Sequence, residues 1–154
     1  MTTAELETFR TDMLVAHNQF RAQHGSPGLA ECEDLHRSAQ SWADTLADTG
    51  FLQYNEAAGV GESIVFVDVN GQRPCGQQVT DEWYRESRHY SFNQPRWRKE
   101  TIHFTQLVWK TTTQMGVGVS RVRGQDRWVI VTHYRPLGNT NMPGDFKKNV
   151  LPPT

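Results

Sequence analysis

The sequence predicts an α+β fold in which three or four helices surround a small antiparallel sheet. Two long segments in the N-terminal third repeat apolar residues at three- and four-residue intervals, which is typical of amphipathic helices. Later segments rich in Ile, Val and Phe, two of them separated by a glycine turn, are typical of strands. No repeat, low-complexity run or linker divides the 154 residues, so we expect a single domain, 1–154.

The first two predicted helices are the most clearly patterned elements. The first covers 4–23 and should end before the glycines and proline of 25–28. The second covers 34–48, and Asp34 is a suitable N-cap for it. The apolar positions that define the two helices are Leu6, Phe9, Met13, Ala16 and Phe20 in the first and Leu35, Ala39, Trp42, Ala43 and Leu46 in the second.

The rest of the chain predicts shorter elements. In chain order they are a buried strand over Glu62–Val67, a third helix over 77–90 after the loop 70–76, a loop over 91–101, a fourth helix over 103–110, a strand from Met115 through Val119, a turn near Gly124 and a strand over Arg127–Tyr134. The last two strands should form a hairpin. The remaining C-terminal tail is rich in turn residues, and we expect it to wrap over the body.

Composition and charge exclude several classes of function. The 17 acidic and 16 basic residues leave a formal charge of −1, which argues against binding nucleic acid or an acidic membrane by bulk charge. No segment approaches the roughly 20 apolar residues that span a bilayer. The first residues form no apolar signal-peptide core, and Thr2 in place of glycine excludes N-myristoylation. We therefore expect an intracellular protein, or an extracellular one if a signal peptide has been removed.

Glu86 lies on a helix face that should be packed. At helical spacing it shares one side of the third predicted helix with Val79, Trp83 and Tyr90. A buried carboxylate costs several kcal/mol unless it is paired, hydrogen-bonded or bound to a metal. The alternative is that Glu86 lies at the edge of this face and reaches water.

His103 and Glu62 are two further polar residues beside apolar segments. His103 is one helical turn from Leu107, and Glu62 begins an apolar strand directly after a glycine-containing turn. Each has an ordinary alternative, namely a satisfied core histidine and a solvated residue at the start of a strand. Together with Glu86 they form a set of two carboxylates and one imidazole. Such a set can bind a divalent metal or act as an acid–base group.

Five motifs of the sequence occur in a recognisable order. They are AHNQFRAQHG at 16–25, GESI at 61–64, WYRES at 83–87, HFTQLVWKTTTQMGVG at 103–118 and HYRPLGN at 133–139. In this order they resemble the CAP superfamily of cysteine-rich secretory, antigen 5 and pathogenesis-related 1 proteins, over residues 5–153. The ending NVLPP at 149–153 and the low cysteine content resemble the Golgi-associated branch of that superfamily.

The resemblance implies an α-β-α sandwich with a central cleft lined by two histidines and two glutamates. Glu62, Glu86 and His103 match three of these four positions. The fourth is Tyr54, where the family has histidine. A phenol with an ordinary pKa of about 10 is a poor metal ligand at neutral pH, so we expect at most weak binding of zinc or a similar divalent metal. His89 is a replacement ligand that nothing in the sequence favours.

The cysteine pattern bears on the compartment. Thr132 stands where secreted members commonly have cysteine, and such a loss fits a reducing environment. The resemblance therefore implies a cytoplasmic location or a peripheral one on Golgi membranes or other endomembranes. Cys32 and Cys75 permit either one disulfide or two free thiols.

The resemblance implies binding rather than catalysis. Lipids or sterols, membrane surfaces, protein partners and self-association, including a homodimer, are the binding modes it suggests, and nucleic acid is not among them. The loop residues Arg96, Arg98 and Lys99 flank Trp97, which suits an anionic lipid interface. The alternative is a solvated basic loop with one packed tryptophan.

Two other functions remain open from the sequence. One is a hydrolase, with or without a metal, that uses Glu62, Glu86 and His103, although no G-x-S-x-G or H-E-x-x-H motif is present. The other is a structural self-association module in which the same three residues form a hydrogen-bonded polar core.

Overall fold

A computed structural model describes all residues, 1–154, and contains five helices and four strands. The helices are α1 (Thr3–Gln23), α2 (Glu33–Thr49), α3 (Gly76–Arg85), α4 (Ile102–Val108) and α5 (Asp145–Asn149). The strands are β1 (Ala30–Glu31), β2 (Gly61–Asp68), β3 (Gln114–Arg121) and β4 (Arg127–Arg135). Two 3-10 turns, Glu86–His89 and Lys99–Thr101, lie between α3 and α4. None of the helices combines the length and the apolar character needed to cross a bilayer.

The four strands form one sheet in the order β1-β3-β4-β2. The predicted hairpin of β3 and β4 is present, and β2 pairs antiparallel with β4, so that Glu62 lies opposite His133. The sheet is not wholly antiparallel, because β1 pairs parallel with β3. The strand β1 was not predicted from the sequence, since two residues are too few to show an alternating pattern.

Helices cover both faces of the sheet, which confirms the α-β-α sandwich. On one face the α2 residues Ala39, Ala43, Leu46 and Ala47 pack against Ile64, Val129 and Val131 of the strands. On the other face α1 and α3 pack against the opposite side chains of the same strands. That larger core contains Phe9, Met13, Leu29, Val79, Trp83, Met115, Val117, Val119, Trp128, Ile130 and Tyr134.

A third apolar cluster holds the C-terminal tail against the body. Phe104, Leu107 and Trp109 from α4 and its end pack with Phe146 and Val150 of the tail. Beyond α5, the Thr154 N–H donates to the Gln23 carbonyl at 2.8 Å. The expected wrapping of the tail is therefore present, and α5 is a short helix within it that the turn-rich sequence did not indicate.

Three predicted boundaries were wrong. Asp34 is not the N-cap of α2: the helix begins at Glu33, the extended Cys32 caps it, and Asp34 pairs with Arg37 in the first turn. The third helix ends at Arg85 because Glu86 begins a tighter 3-10 turn. The predicted loop 91–101 contains the second 3-10 turn. The helix α4 covers Ile102–Val108, whereas the sequence predicts 103–110.

The two cysteines are free thiols. Cys32 immediately precedes α2, and Cys75 immediately precedes α3. The two helices lie on opposite faces of the sheet, which explains why their N-termini do not bring the two thiols together.

Candidate functional site

Glu86 and His103 form the first of two carboxylate–imidazole pairs. Glu86 is the C-cap of α3, and its Oε2 accepts a hydrogen bond from His103 Nδ1 at 2.6 Å. Its Oε1 accepts from the backbone N–H groups of His103 and Phe104, both at 3.0 Å. Thr101, the N-cap of α4, provides no side-chain cap. Glu86 therefore satisfies two of the free N–H groups of α4 and places its negative charge at the positive end of the helix.

The His103 ring is held between this carboxylate and an indole. It stacks on Trp83 with ring centroids 5.4 Å apart and planes at 9°. When Nδ1 of the neutral imidazole donates to Glu86, the opposite nitrogen, Nε2, carries the lone pair. That nitrogen is buried and has no hydrogen-bond partner, so it can accept a hydrogen bond from a ligand or a water molecule.

Glu62 and His133 form the second pair. They face each other across β2 and β4, and His133 Nε2 lies 2.6 Å from Glu62 Oε2. Glu62 Oε1 accepts from the Asn55 N–H at 2.7 Å, and His133 Nδ1 lies 2.7 Å from the Ser38 hydroxyl of α2. The Glu62 and His133 side chains are only 8% and 1% exposed, so neither is the solvated surface group that a strand-entry position allows.

The charges of Glu62 and Glu86 both act on Tyr54. Partial burial and then the charges of Glu62 and Glu86 raise the pKa of its phenol above the ordinary value. The phenol therefore stays protonated at neutral pH and can donate a hydrogen bond. Glu62 and Glu86 thus belong to two separate pairs, and the neutral Tyr54 phenol lies within range of the charge of both glutamates.

This donor set does not fit a resident metal ion. No three histidine, cysteine, aspartate or glutamate side chains are grouped so that they could hold one. Both glutamates use both carboxylate oxygens on other partners, and the Tyr54 phenol is protonated. His89 is exposed and makes no hydrogen bond to Glu62 or Glu86. Weak zinc binding stays a prediction, and no reaction step is assigned to a metal.

A surface cavity lies beside the Glu86–His103 pair. It is a groove of about 530 Å³ between β2 and α3, and its apolar lining includes Val65, Val67, Val79 and Trp83. Trp83 also stacks on His103, so it lies between the groove and the carboxylate–imidazole pair. Neither Glu62 nor Glu86 lines the groove.

The tryptophan of the basic loop is exposed to solvent over about half of its surface. Trp97 is 47% exposed, and Arg96 and Lys99 on either side are exposed as well. Arg98 is half-buried, and its Nε lies 3.7 Å from the Glu100 carboxylate. Trp97 is therefore not packed in the core, and a solvated basic loop stays the alternative to a lipid interface.

Two residues of the cleft were missed by the sequence analysis. His133 stands in the predicted last strand at a position that alternation places beside Val129 and Val131, toward α2. A histidine on an apolar face was the signal that could have found it. Ser38 carried no signal, because nothing in its neighbourhood on α2 indicates a partner on β4.

Comparison with known proteins identifies the family. The family model of the cysteine-rich secretory protein family, CAP, matches residues 14–134. The chain is 38% identical over 148 residues to the human Golgi-associated plant pathogenesis-related protein 1, covering 94% of each chain. It is 35% identical to the Repressed by EFG1 protein 1 of Candida albicans, of whose length it spans 56%.

Solved structures agree on the fold. The structure of BmVAL-1 superposes with a TM-score of 0.71 at 22% identity, covering 92% of this chain and 81% of that one. The predicted resemblance is thus confirmed by the family model, by relatives aligned over most of the chain and by the fold. The chain belongs to the CAP family of cysteine-rich secretory proteins.

Proposed function

We propose that this protein binds anionic membrane surfaces through the loop Arg96–Lys99. The observation that carries the proposal is the 47% exposure of Trp97 between two exposed cations. An indole has an apolar body and one polar N–H, so it is most stable at the boundary between water and lipid. The flanking cations would at the same time contact lipid phosphates.

Basic residues near the loop support its binding to an anionic membrane. The 3-10 turn Glu86–His89 packs against the turn Lys99–Thr101, which brings the exposed Arg88 to the same end of the molecule. Each basic side chain near an anionic leaflet contributes about 1 kcal/mol. Because the whole chain has a formal charge of −1, the attraction has to come from this local group and should be sensitive to salt.

The name of the human relative supports a membrane setting. That protein is called Golgi-associated, and we propose a peripheral location on endomembranes for this chain by similarity. Association through surface chemistry needs no lipid anchor.

The hydrolase that uses Glu62, Glu86 and His103 as one group is less well supported. The two glutamates belong to separate pairs, and both oxygens of each accept hydrogen bonds. A general acid or base needs a free position toward the substrate, and only His103 Nε2 offers one. The same hydrogen bonds are compatible with a structural polar core, which does not conflict with membrane binding at the separate loop.

Sedimentation with vesicles tests the proposal. The full chain is mixed at low salt with vesicles of phosphatidylcholine alone or of phosphatidylcholine and phosphatidylserine. We expect binding only to the anionic vesicles, lost at high salt. Trp97→Ala and the double variant Arg96→Ala/Lys99→Ala should each weaken binding about tenfold or more, which corresponds to roughly 1.4 kcal/mol or more.

Two matched variants control for general loss of an aromatic or a charge. Phe51 is 76% exposed in a different loop, and Arg123 is exposed in the β3–β4 turn, at the opposite end of the strands from Glu62 and His133. Phe51→Ala and Arg123→Ala should bind like the wild type. Indifference of the wild type to anionic vesicles, or a loss confined to Phe51→Ala, would overturn the assignment.

A further inference from the structure

Ser38, His133 and Glu62 form a continuous hydrogen-bonded line that none of the expected functions uses. The Ser38 hydroxyl lies 2.7 Å from His133 Nδ1, and His133 Nε2 lies 2.6 Å from Glu62 Oε2. The three residues come from α2, β4 and β2, and they are separated by up to 95 positions in the sequence. A hydroxyl, an imidazole and a carboxylate joined in this order are the arrangement of an activated serine nucleophile.

The carboxylate determines which nitrogen carries the proton. Glu62 Oε2 can only accept when ionised, so His133 Nε2 must donate to it. In the neutral imidazole, Nδ1 then has the lone pair, and it accepts the Ser38 hydroxyl proton. A weaker contact of the same hydroxyl, to the Leu35 carbonyl, is 3.2 Å long. The shorter contact therefore directs the Ser38 proton to the base.

The three residues differ in burial: the imidazole and the carboxylate lie inside the protein, and the serine is closer to the surface. His133 and Glu62 are 1% and 8% exposed at their side chains, whereas Ser38 is half-buried. Glu62 is itself held in place by the Asn55 N–H at 2.7 Å. The imidazole is therefore fixed inside the protein, and the serine is the least buried of the three residues.

We propose that Ser38 is a nucleophile that hydrolyses small activated esters, with His133 as its base and Glu62 as a positioning residue. This function is independent of the membrane-binding loop. Activated esters are the proposed substrates because their leaving group departs readily and the transition state needs little further stabilisation of negative charge. A small acyl group is proposed because Ser38 is only partly exposed.

The reaction proceeds in two balanced steps. Ser38 Oγ forms a bond to the acyl carbon while its proton passes to His133 Nδ1, and His133 returns the proton to the leaving oxygen as the ester C–O bond breaks. Water then attacks the acyl carbon, and its proton passes to His133. The Ser38–acyl bond breaks, His133 returns the proton to Ser38, and the free acid is released.

Active-site labelling tests the proposal. A fluorophosphonate probe should add to the wild-type full chain once, as fluoride leaves and an Oγ–phosphorus bond forms. Peptide mapping of the adduct should locate it at Ser38. Hydrolysis of p-nitrophenyl acetate should fall about 100-fold or more in Ser38→Ala and His133→Gln, as expected when a base and its nucleophile act together.

The Glu62→Gln variant separates positioning from a structural role. An amide at this position can donate to Nε2, which leaves the proton on Nδ1 and removes the base. The labelling rate should then become proportional to hydroxide concentration, whereas a merely structural role would leave the shape of the pH profile unchanged.

Ser41→Ala is the matched control, because Ser41 is an exposed serine on the same helix and should label like the wild type. An adduct at any other residue, no adduct, or equal rates in His133→Gln and Ser41→Ala would overturn the proposal. If a variant of the buried histidine fails to fold, as judged by thermal unfolding, the map of the wild-type adduct decides the question by itself.

Discussion

Arg21 is a buried cation that contacts no carboxylate. It is 0% exposed, and its guanidinium donates to four backbone carbonyls, those of Pro27, Leu107, Trp109 and Thr112, at 2.8 to 3.0 Å. Burial lowers its pKa to about 10, so it remains charged at neutral pH. Two of the carbonyls lie at the end of α4, where a helix leaves its last acceptors unpaired. Arg21 therefore joins α1 to the C-terminal end of α4.

Replacing Arg21 should destabilise the protein strongly. Arg21→Met removes the side-chain donors of four carbonyls, of which that of Trp109 still accepts from the Thr112 N–H at 3.2 Å, and we expect the free energy of unfolding to fall by about 2–4 kcal/mol. Arg21→Lys keeps the charge and at most three donors, so its loss should be smaller. Urea denaturation measures both. The control Arg37→Met removes an exposed arginine with surface ion pairs and should cost less than about 1 kcal/mol; equal losses at both sites would contradict this role.

At the scale of elements, two glycines of β3 allow α2 to lie directly on the sheet. The alternation of β3 places Met115, Val117 and Val119 in the core with α1 and α3, and Gly116 and Gly118 toward α2. A Cβ atom on either glycine would overlap the α2 backbone, at Leu35 and His36 or at Ala39 and Gln40. The close approach also allows His36 Nδ1 to accept from the Val117 N–H at 2.9 Å.

A single methyl group should therefore separate the helix from the sheet. We expect Gly118→Ala to lower the free energy of unfolding by about 1–3 kcal/mol or more, because backbone rather than a flexible side chain has to move. Gly28→Ala is the matched control, since its Cβ would lie an ordinary 3.5 Å from Asn18 Nδ2 and should change stability by less than about 1 kcal/mol. Comparable melting curves for the two variants would show that α2 does not need this contact.

At the scale of the whole molecule, buried neutral histidines connect the layers. His17 of α1 contacts the Met13 carbonyl at 2.8 Å and the Tyr134 hydroxyl of β4 at 2.7 Å. His24 contacts the Leu151 carbonyl of the tail at 2.7 Å and the Tyr84 hydroxyl at 2.8 Å. Burial lowers the pKa of both, and that of His17 to about 3. These imidazoles therefore stay uncharged while the protein is folded.

Acid should destabilise the fold through these groups. The unfolded chain takes up a proton at the ordinary histidine pKa of 6.5, whereas folded His17 does so only near pH 3. The stability that the neutral His17 contributes is therefore fully present above pH 6.5 and is lost as the pH falls from there toward 3, by up to about 1.4 kcal/mol per pH unit.

Urea denaturation at a series of pH values measures this loss. His17→Gln should be less stable than the wild type at neutral pH, and the difference should narrow as the pH falls, because the variant has no proton to take up. The exposed His89 offers the control His89→Gln, whose difference from the wild type should not depend on pH in this way. A constant difference between wild type and His17→Gln would contradict the buried neutral imidazole.

The sequence by itself determined the kind and order of the main elements. Helical and strand periodicity can be recognised within short segments of the chain. For this reason α1, α2 and the β3–β4 hairpin are close to their predicted bounds. The ordered motifs determined the family, and they indicated Glu62, Glu86, His103 and Tyr54 as residues of one cleft. Short elements without a full period, namely β1 and α5, could not be found in this way.

Only the tertiary structure decided what each cleft residue contacts. Glu86 spans 17 positions to cap α4, and Glu62 spans 71 positions to meet His133. Such partners depend on the register of β2 with β4 and on how closely α2 approaches the sheet. A shift of one residue in that register would turn the Glu62 side chain to the other face. The sequence contains the donors and acceptors, but hydrogen bonds act over about 3 Å, and only the packed fold brings Ser38, His133 and Glu62 within that distance.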